Sequence, residues 1–178
     1  LIAALPVSLG YATQRLNITI TAGDPTGLFR VDSGRFELIL NRPELDFETL
    51  NSYTLELLLV DRSNPSLSET ATINLSINDV NESPVVVPMS VSVAEYAADG
   101  SAVATLQGSD EDAGLAGQFV WSLVGGNPGG AFVVDPNTGA VSVQHGGLLD
   151  FETTPVWQLT ARATDRGTPS RFGGAILE

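Results

Sequence analysis

The sequence predicts an all-β chain built as two tandem antiparallel sandwiches of Greek-key type. Three observations carry that reading. Short runs that alternate apolar and polar residues recur along the chain, bounded by turn-forming Gly, Pro, Asn and Asp. No stretch sustains the period of about 3.6 residues that a helix requires. The second half also repeats the first: Leu45-Asp46-Phe47-Glu48-Thr49 returns as Leu149-Asp150-Phe151-Glu152-Thr153, 104 residues on.

Matched spacing extends the repeat. Asp61-Arg62 answers to Asp165-Arg166, Gly23-Asp24-Pro25 to Gly126-Asn127-Pro128, and Phe29-Arg30-Val31-Asp32 to Phe132-Val133-Val134-Asp135. In the first copy, alternation predicts strands over residues 16–20, 36–40, 53–57 and 72–77. In the second it predicts them over 87–93, 102–106, 119–124, 140–143 and 156–164, with turns over 125–130 and 135–139. Short, regularly spaced strands in about 100 residues indicate a sandwich. Shifting the repeat by 104 residues carries the counterpart of 79–83 past the last residue, and that of 85–95 before the first. Residues 1–5 then correspond to 102–106. The expected division is a first repeat over 1–80 lacking its opening strand, a linker over 81–84, and a second repeat over 85–178 lacking its exit linker.

Composition narrows the chemistry. With 43% hydrophobic residues, 18 Gly and 10 Pro, the 178 residues suit two β-rich domains better than disorder. The 21 Asp and Glu against 8 Lys and Arg leave a net charge of −13, which argues against nucleic acid as a partner. Without Cys there is no disulfide and no thiolate metal site. The single His, His145 beside Gly146-Gly147, reads as a loop residue and leaves a His-based metal site or a Ser-His-Asp triad almost nothing to draw on. No apolar run approaches the ~18–20 residues of a membrane span. The opening Leu1-Ile2-Ala3-Ala4-Leu5 is too short for a signal peptide and lacks its basic flank, so the chain is expected to be an internal or mature fragment.

What remains is oxygen chemistry. Asp79-Val80-Asn81-Glu82-Ser83-Pro84 sets the ligand-type side chains of Asp79, Asn81 and Glu82 within four residues. Calcium takes about six to eight oxygens, more than so short a segment offers, so both flanks must contribute. Asp46 and Glu48 precede this segment, with Glu48 31 residues before Asp79. Asp110-Glu111-Asp112 follows a strand that leaves it, and Asp165 can join from a neighbouring strand end. Asp-x-Asp and Asp-x-Glu spacing points both carboxylates the same way in extended backbone. One such pair alone is ordinarily a turn or a solvated surface; recurrence in matched clusters favours a cation.

At these residues the chain resembles the cadherin repeat family, over nearly its whole length. Leu45-Asp46-Phe47-Glu48 and Leu149-Asp150-Phe151-Glu152 resemble the family's Leu-Asp-x-Glu element, and Asp79-Val80-Asn81-Glu82-Ser83 its Asp-x-Asn-Asp-Asn linker. Asp110-Glu111-Asp112 resembles its Asp-x-Asp element, Ala94-Glu95-Tyr96 its first-strand glutamate, and Asp61 and Asp165 its lone aspartate before the last strand. The resemblance implies immunoglobulin-like, seven-stranded Greek-key sandwiches with three Ca2+ ions at each junction. Carried over, the central junction uses Asp46, Glu48, Asp79, Asn81, Glu82, Asp110, Asp112 and Asp165, with the Ser83 carbonyl and a carbonyl near Ala116. Two departures stand out: Glu82 replaces an aspartate, and no acid precedes Asp24 in the first repeat. Glu95, Asp150 and Glu152 face a further junction.

The function this implies is a non-enzymatic, extracellular, calcium-dependent adhesion or surface-attachment module. Its partners are neighbouring repeats of a longer chain and a homophilic or heterophilic cell-surface protein. One rival is a cadherin-like spacer or carbohydrate-binding module of a bacterial surface or secreted protein, which an aromatic pair exposed on one sheet would support. Another is a hydrolase with paired carboxylates, but acids duplicated 104 residues apart are more than one active site requires. Phe47 and Phe151 are expected to pack in the core, and Trp121 and Trp157 to be half-buried strand residues. Asn17-Ile18-Thr19, Asn74-Leu75-Ser76 and Asn81-Glu82-Ser83 are glycosylation sequons, and the third conflicts with metal binding.

Overall fold

Alternation becomes strands through residues 3–4, 16–114 and 118–178, which the computed structural model describes. The chain divides into two units, Leu1–Val80 and Asn81–Glu178. The first unit holds β1 (Ala3–Ala4), β2 (Leu16–Ala22), β3 (Phe29–Asp32), β4 (Glu37–Leu40), β5 (Ser52–Asp61) and β6 (Ser68–Ser76). They form two antiparallel sheets, β1-β4-β3 and β2-β5-β6. In β5, Tyr53, Leu55 and Leu57 turn inward while Ser52, Thr54 and Glu56 face out, the period-two pattern of a sheet with one buried face. Their apolar side meets Ile18 of β2, Phe29 of β3 and Leu38 of β4, and Phe29 and Tyr53 pack edge to face at 5.0 Å.

The second unit holds β7 (Val85–Val86), β8 (Ala102–Thr105), β9 (Gly108–Ser109), β10 (Val120–Gly125), β11 (Phe132–Val134), β12 (Ala140–Val143), β13 (Leu159–Thr164) and β14 (Phe172–Leu177). Its sheets are β8-β12-β11 and β10-β13-β14, with β7 paired to β9. Trp121, Phe132, Val141, Val143, Leu159 and Ala163 fill the space between them. The expected correspondence of residues 1–5 with 102–106 is visible in the pairing. Ala3 lies opposite Leu38, and Ala104 lies opposite Val141, the residue 103 positions beyond Leu38.

Two expectations are corrected. The run over 87–93 is not a continuous strand. Val85 and Val86 pair with β9, the Val87 N–H reaches the Gln107 carbonyl, and Met89 then bridges to Leu177 of the other sheet. Pro88, which has no N–H to give a ladder, stands at the changeover. The phenylalanines of the repeated pentapeptide also do not fill the core. Phe47 is half-buried and Phe151 is 63% exposed; Leu45 and Leu149 do the packing. The reason is local: residues 47–49 and 151–153 form turns whose N–H groups the preceding aspartates accept, so neither phenylalanine sits on a strand that would aim it inward.

Candidate metal centre

Three segments reach one end of the second unit. Val85 pairs with Ser109, so residues 81–84 and 110–112 leave the β7–β9 ladder side by side. Thr164 pairs with Phe172, which brings Asp165, just past β13, to the same place. Gly173 allows the approach, since a Cβ there would collide with the Pro84 carbonyl.

Asn81, Glu82, Asp110, Asp112 and Asp165 gather here. The Asn81 amide Nδ2 donates to Asp165 Oδ2 at 3.0 Å and to the Pro169 carbonyl at 2.9 Å. The Glu82 N–H donates to Asp112 Oδ2 at 2.8 Å, and the Asp112 N–H to Asp110 Oδ1 at 3.1 Å. Asp165 is 3% exposed and accepts from the N–H groups of Gly167 and Arg171. Asp110 and Asp112 are thus held by a turn, not by the extended backbone that their spacing predicts.

Several acceptors at this point have no donor. Asn81 Oδ1, Asp110 Oδ2 and Asp112 Oδ1 are buried without a hydrogen bond. Burying one such group without a partner costs about 1–3 kcal/mol, more for a charge. An oxygen-only set of carboxylates and an amide carbonyl is the donor chemistry of a hard divalent cation. The residues present therefore fit such an ion. The electrostatics agree. Burial raises the Asp110 carboxyl above its usual range, and repulsion from Asp112 and Asp165 adds to it, against the opposing Asp112 N–H. Burial also acts to raise Asp165, but the N–H groups of Arg171 and Gly167, the Asn81 amide and the Arg171 charge outweigh it and hold the carboxyl low.

Asp46, Glu48 and Asp79 belong to the first unit and are exposed; Asp46 accepts the Thr49 N–H at 3.0 Å and its hydroxyl at 2.8 Å. Those bonds hold the Asp46 carboxyl below its usual range, the hydroxyl most strongly. Ser83 is exposed, and the carbonyl expected near Ala116 lies outside the described residues. At another place in the second unit, oxygens of Glu95, Asp150 and Glu152 lie within 4.8 Å of one another. The Asp150 turn repeats that of Asp46, with Thr153 donating its hydroxyl at 2.9 Å.

The family model described as Cadherin domain matches residues 8–78 and 89–178. The chain belongs to the cadherin family. Mouse Protocadherin Fat 2 is 37% identical over 160 residues, 88% of this chain and 4% of the relative. Human Protocadherin Fat 1 is 33% identical over 165 residues, 90% of this chain and 4% of its own. This chain therefore spans a small fraction of those proteins. Among solved structures, mouse Cadherin-23 EC22-24 is 28% identical with a TM-score of 0.65, covering 91% of this chain and 51% of that one. Protocadherin Gamma C5 EC1-3 is 27% identical with a TM-score of 0.69, covering 91% and 54%.

Parts of the second cadherin repeat's cluster carry no mark in the sequence. The Pro169 carbonyl and the Arg171 N–H are backbone groups, and no side-chain motif announces them. Gly167 is the exception: a Cβ there would run into the Asn81 side chain, so a glycine two residues after Asp165 is a readable trace of the contact.

Proposed function

We propose that the chain is an extracellular, non-enzymatic adhesion module in which calcium at the junction of consecutive cadherin repeats stiffens a longer array. The observation that carries this is the set of buried oxygens without donors on Asn81, Asp110 and Asp112, gathered beside Asp165. In this reading those four residues and Glu82 hold the ion from the second repeat, with the Ser83 carbonyl. Asp46, Glu48 and Asp79 supply oxygens from the first repeat, an assignment that rests on the order and spacing of the family motifs. A bound Ca2+ supplies positive charge that offsets the mutual repulsion of these carboxylates. Sites of about 10⁻⁴–10⁻³ M suffice in calcium-rich surroundings. The partners are neighbouring repeats of the same longer chain and a cell-surface protein, of the same or a different kind.

The tryptophans do not favour the carbohydrate-binding alternative. Trp121 is buried against Phe119, and Trp157 is half-buried against Phe132, edge to face in both cases. Neither belongs to a pair of open ring faces on which a sugar would stack.

Calcium titration followed by thermal melting and small-angle scattering tests the proposal. At about ten times Kd, binding adds roughly 1.4 kcal/mol, a rise of several degrees for a domain of about 100 residues. The particle should become longer and narrower, and Asp110→Ala with Asp112→Ala should abolish both effects. A melting temperature and scattering profile indifferent to millimolar calcium would overturn it.

A further inference from the structure

We propose that Asn17 and Asn74 of the first repeat carry N-linked glycans and that Asn81, in the same tripeptide pattern, carries none. The inference rests on the extracellular reading above. As sequence, Asn17-Ile18-Thr19, Asn74-Leu75-Ser76 and Asn81-Glu82-Ser83 are equivalent. The fold separates them.

Asn17 lies in β2 and Asn74 in β6, and both are exposed. Successive side chains of a strand point to opposite faces, so the middle residue of each sequon anchors the other two. Ile18 is buried at 4%, and Leu75 packs against the same core. The asparagine and the hydroxyl residue two places on, Thr19 or Ser76, therefore share the outer face of sheet β2-β5-β6. Asn74 Oδ1 accepts from Thr54 Oγ1 at 3.0 Å, a bond that orients the amide without using Nδ2, the atom that takes the sugar. At Asn81 that nitrogen donates to Asp165 and Pro169, and the side chain sits where a Cβ on Gly167 would be. A glycan there would displace both.

The surroundings agree. Asn17 pairs with Val60 of β5, and Asn74 with Thr54. Six positions of strand at about 3.4 Å each put the two asparagines near opposite ends of one face. Between them lie Thr19, Glu56, Thr70 and Thr72, all exposed, with half-buried Leu58 and Val60 on the same face, and among the described residues none of the exposed large apolar side chains is there. The matching sheet of the second repeat, β10-β13-β14, carries no sequon and exposes Val120, Val124, Phe172 and Ile176. The face that bears the acceptors is the more polar of the two, and two glycans on it leave protein contacts to other surfaces.

The modification transfers an oligosaccharide from a lipid-linked pyrophosphate donor. A bond forms between Nδ2 and C1 of the first sugar, the bond from C1 to the pyrophosphate oxygen breaks, the amide loses one proton, and the lipid pyrophosphate leaves. To test it, the whole chain is directed into the secretory pathway of cultured animal cells behind a cleavable leader. Intact mass and peptide maps are taken before and after enzymatic release of N-glycans, which leaves Asp at each occupied position. We expect two glycans, lost singly in Asn17→Gln and Asn74→Gln and both lost in the double variant. Thr19→Val and Ser76→Ala should do the same without touching either asparagine. Bare Asn17 and Asn74, or a glycan on Asn81, would overturn the proposal. Chain retained in the cells is mapped in the same way. Calcium melting of the same protein separates the two readings. A calcium response without glycans sinks this inference alone, and glycans without a calcium response sink the calcium reading alone.

Discussion

In the first repeat the Ile18 N–H donates to Ser33 Oγ at 2.9 Å, and that hydroxyl donates back to the Ile18 carbonyl at 3.3 Å. In the second repeat the matching N–H, from Trp121, goes at 2.9 Å to the carbonyl of Pro136, which stands where Ser33 does. Three residues on, the same turn needs a positive φ. The first repeat fills it with Phe36 at 58°, the second with Gly139 at 72°. A Cβ on Gly139 would press on Trp121 and the Leu106 carbonyl, whereas Phe36 packs partly against its own core. Asp24 ties the N–H groups of Leu28 and Phe29 with its two oxygens; Asn127, in its place, accepts from the Phe132 N–H and donates to the Phe132 carbonyl. The backbone path is common to both repeats, and different side chains secure it. What the sandwich requires at these places is a bond or a dihedral angle, not a particular residue.

The largest test of that equivalence is at Gly23 and Gly126, with φ of 86° and 72°. A Cβ would enter the Thr54 carbonyl in one and the Gln158 carbonyl in the other. Either change to Ala should cost about 3 kcal/mol or more, read as the loss of one of two unfolding transitions in urea. Unequal costs would break the comparison. Next, Ser33→Ala leaves the Ile18 N–H without its acceptor and should cost about 1–2 kcal/mol by the same measurement. Pro136→Ala keeps the carbonyl and should cost less.

At the positive-φ position, Gly139→Ala should cost about 1–2 kcal/mol for the left-handed backbone and the pressure on Trp121. Phe36→Gly relieves the same dihedral cost but gives up packing, so its net effect should be within about 1 kcal/mol of zero. The smallest expected effect is electrostatic. The N–H groups of Asn137 and Thr138 hold the Asp135 carboxyl below its usual range. A carboxyl depressed on folding adds stability that is fully present above its unfolded value of about 3.9. That contribution is lost as pH falls through the lower folded value. Asp135→Asn should therefore flatten the acid limb of the stability curve below about pH 4, with no change in its slope near neutrality.

Much of the site could be read from the chain, and the reason differs by residue. Asp165 stood out because it recurs with Asp61 at a matched offset, Asp110 and Asp112 because of their Asp-x-Asp spacing, and strands such as residues 140–143 because alternation is a local signal of which way side chains point. The errors also have local causes. Asp110, Asp46 and Asp150 accept from nearby N–H groups and turn the backbone, so a spacing read as extended was not, and Phe151 ended up in solvent.

The sequence by itself determined the duplication, the all-β character and the order of the acidic motifs, since periodicity and side-chain chemistry are properties of neighbours along the chain. Tertiary structure alone decided which oxygens meet. Asn81 reaches Asp165 across 84 positions, and Glu82 reaches Asp112 across 30, only because β7 pairs with β9 and β13 with β14 in one register. It also decided which of three identical sequon patterns faces water. A register between distant segments is settled by the burial of both at once, and no local pattern contains it.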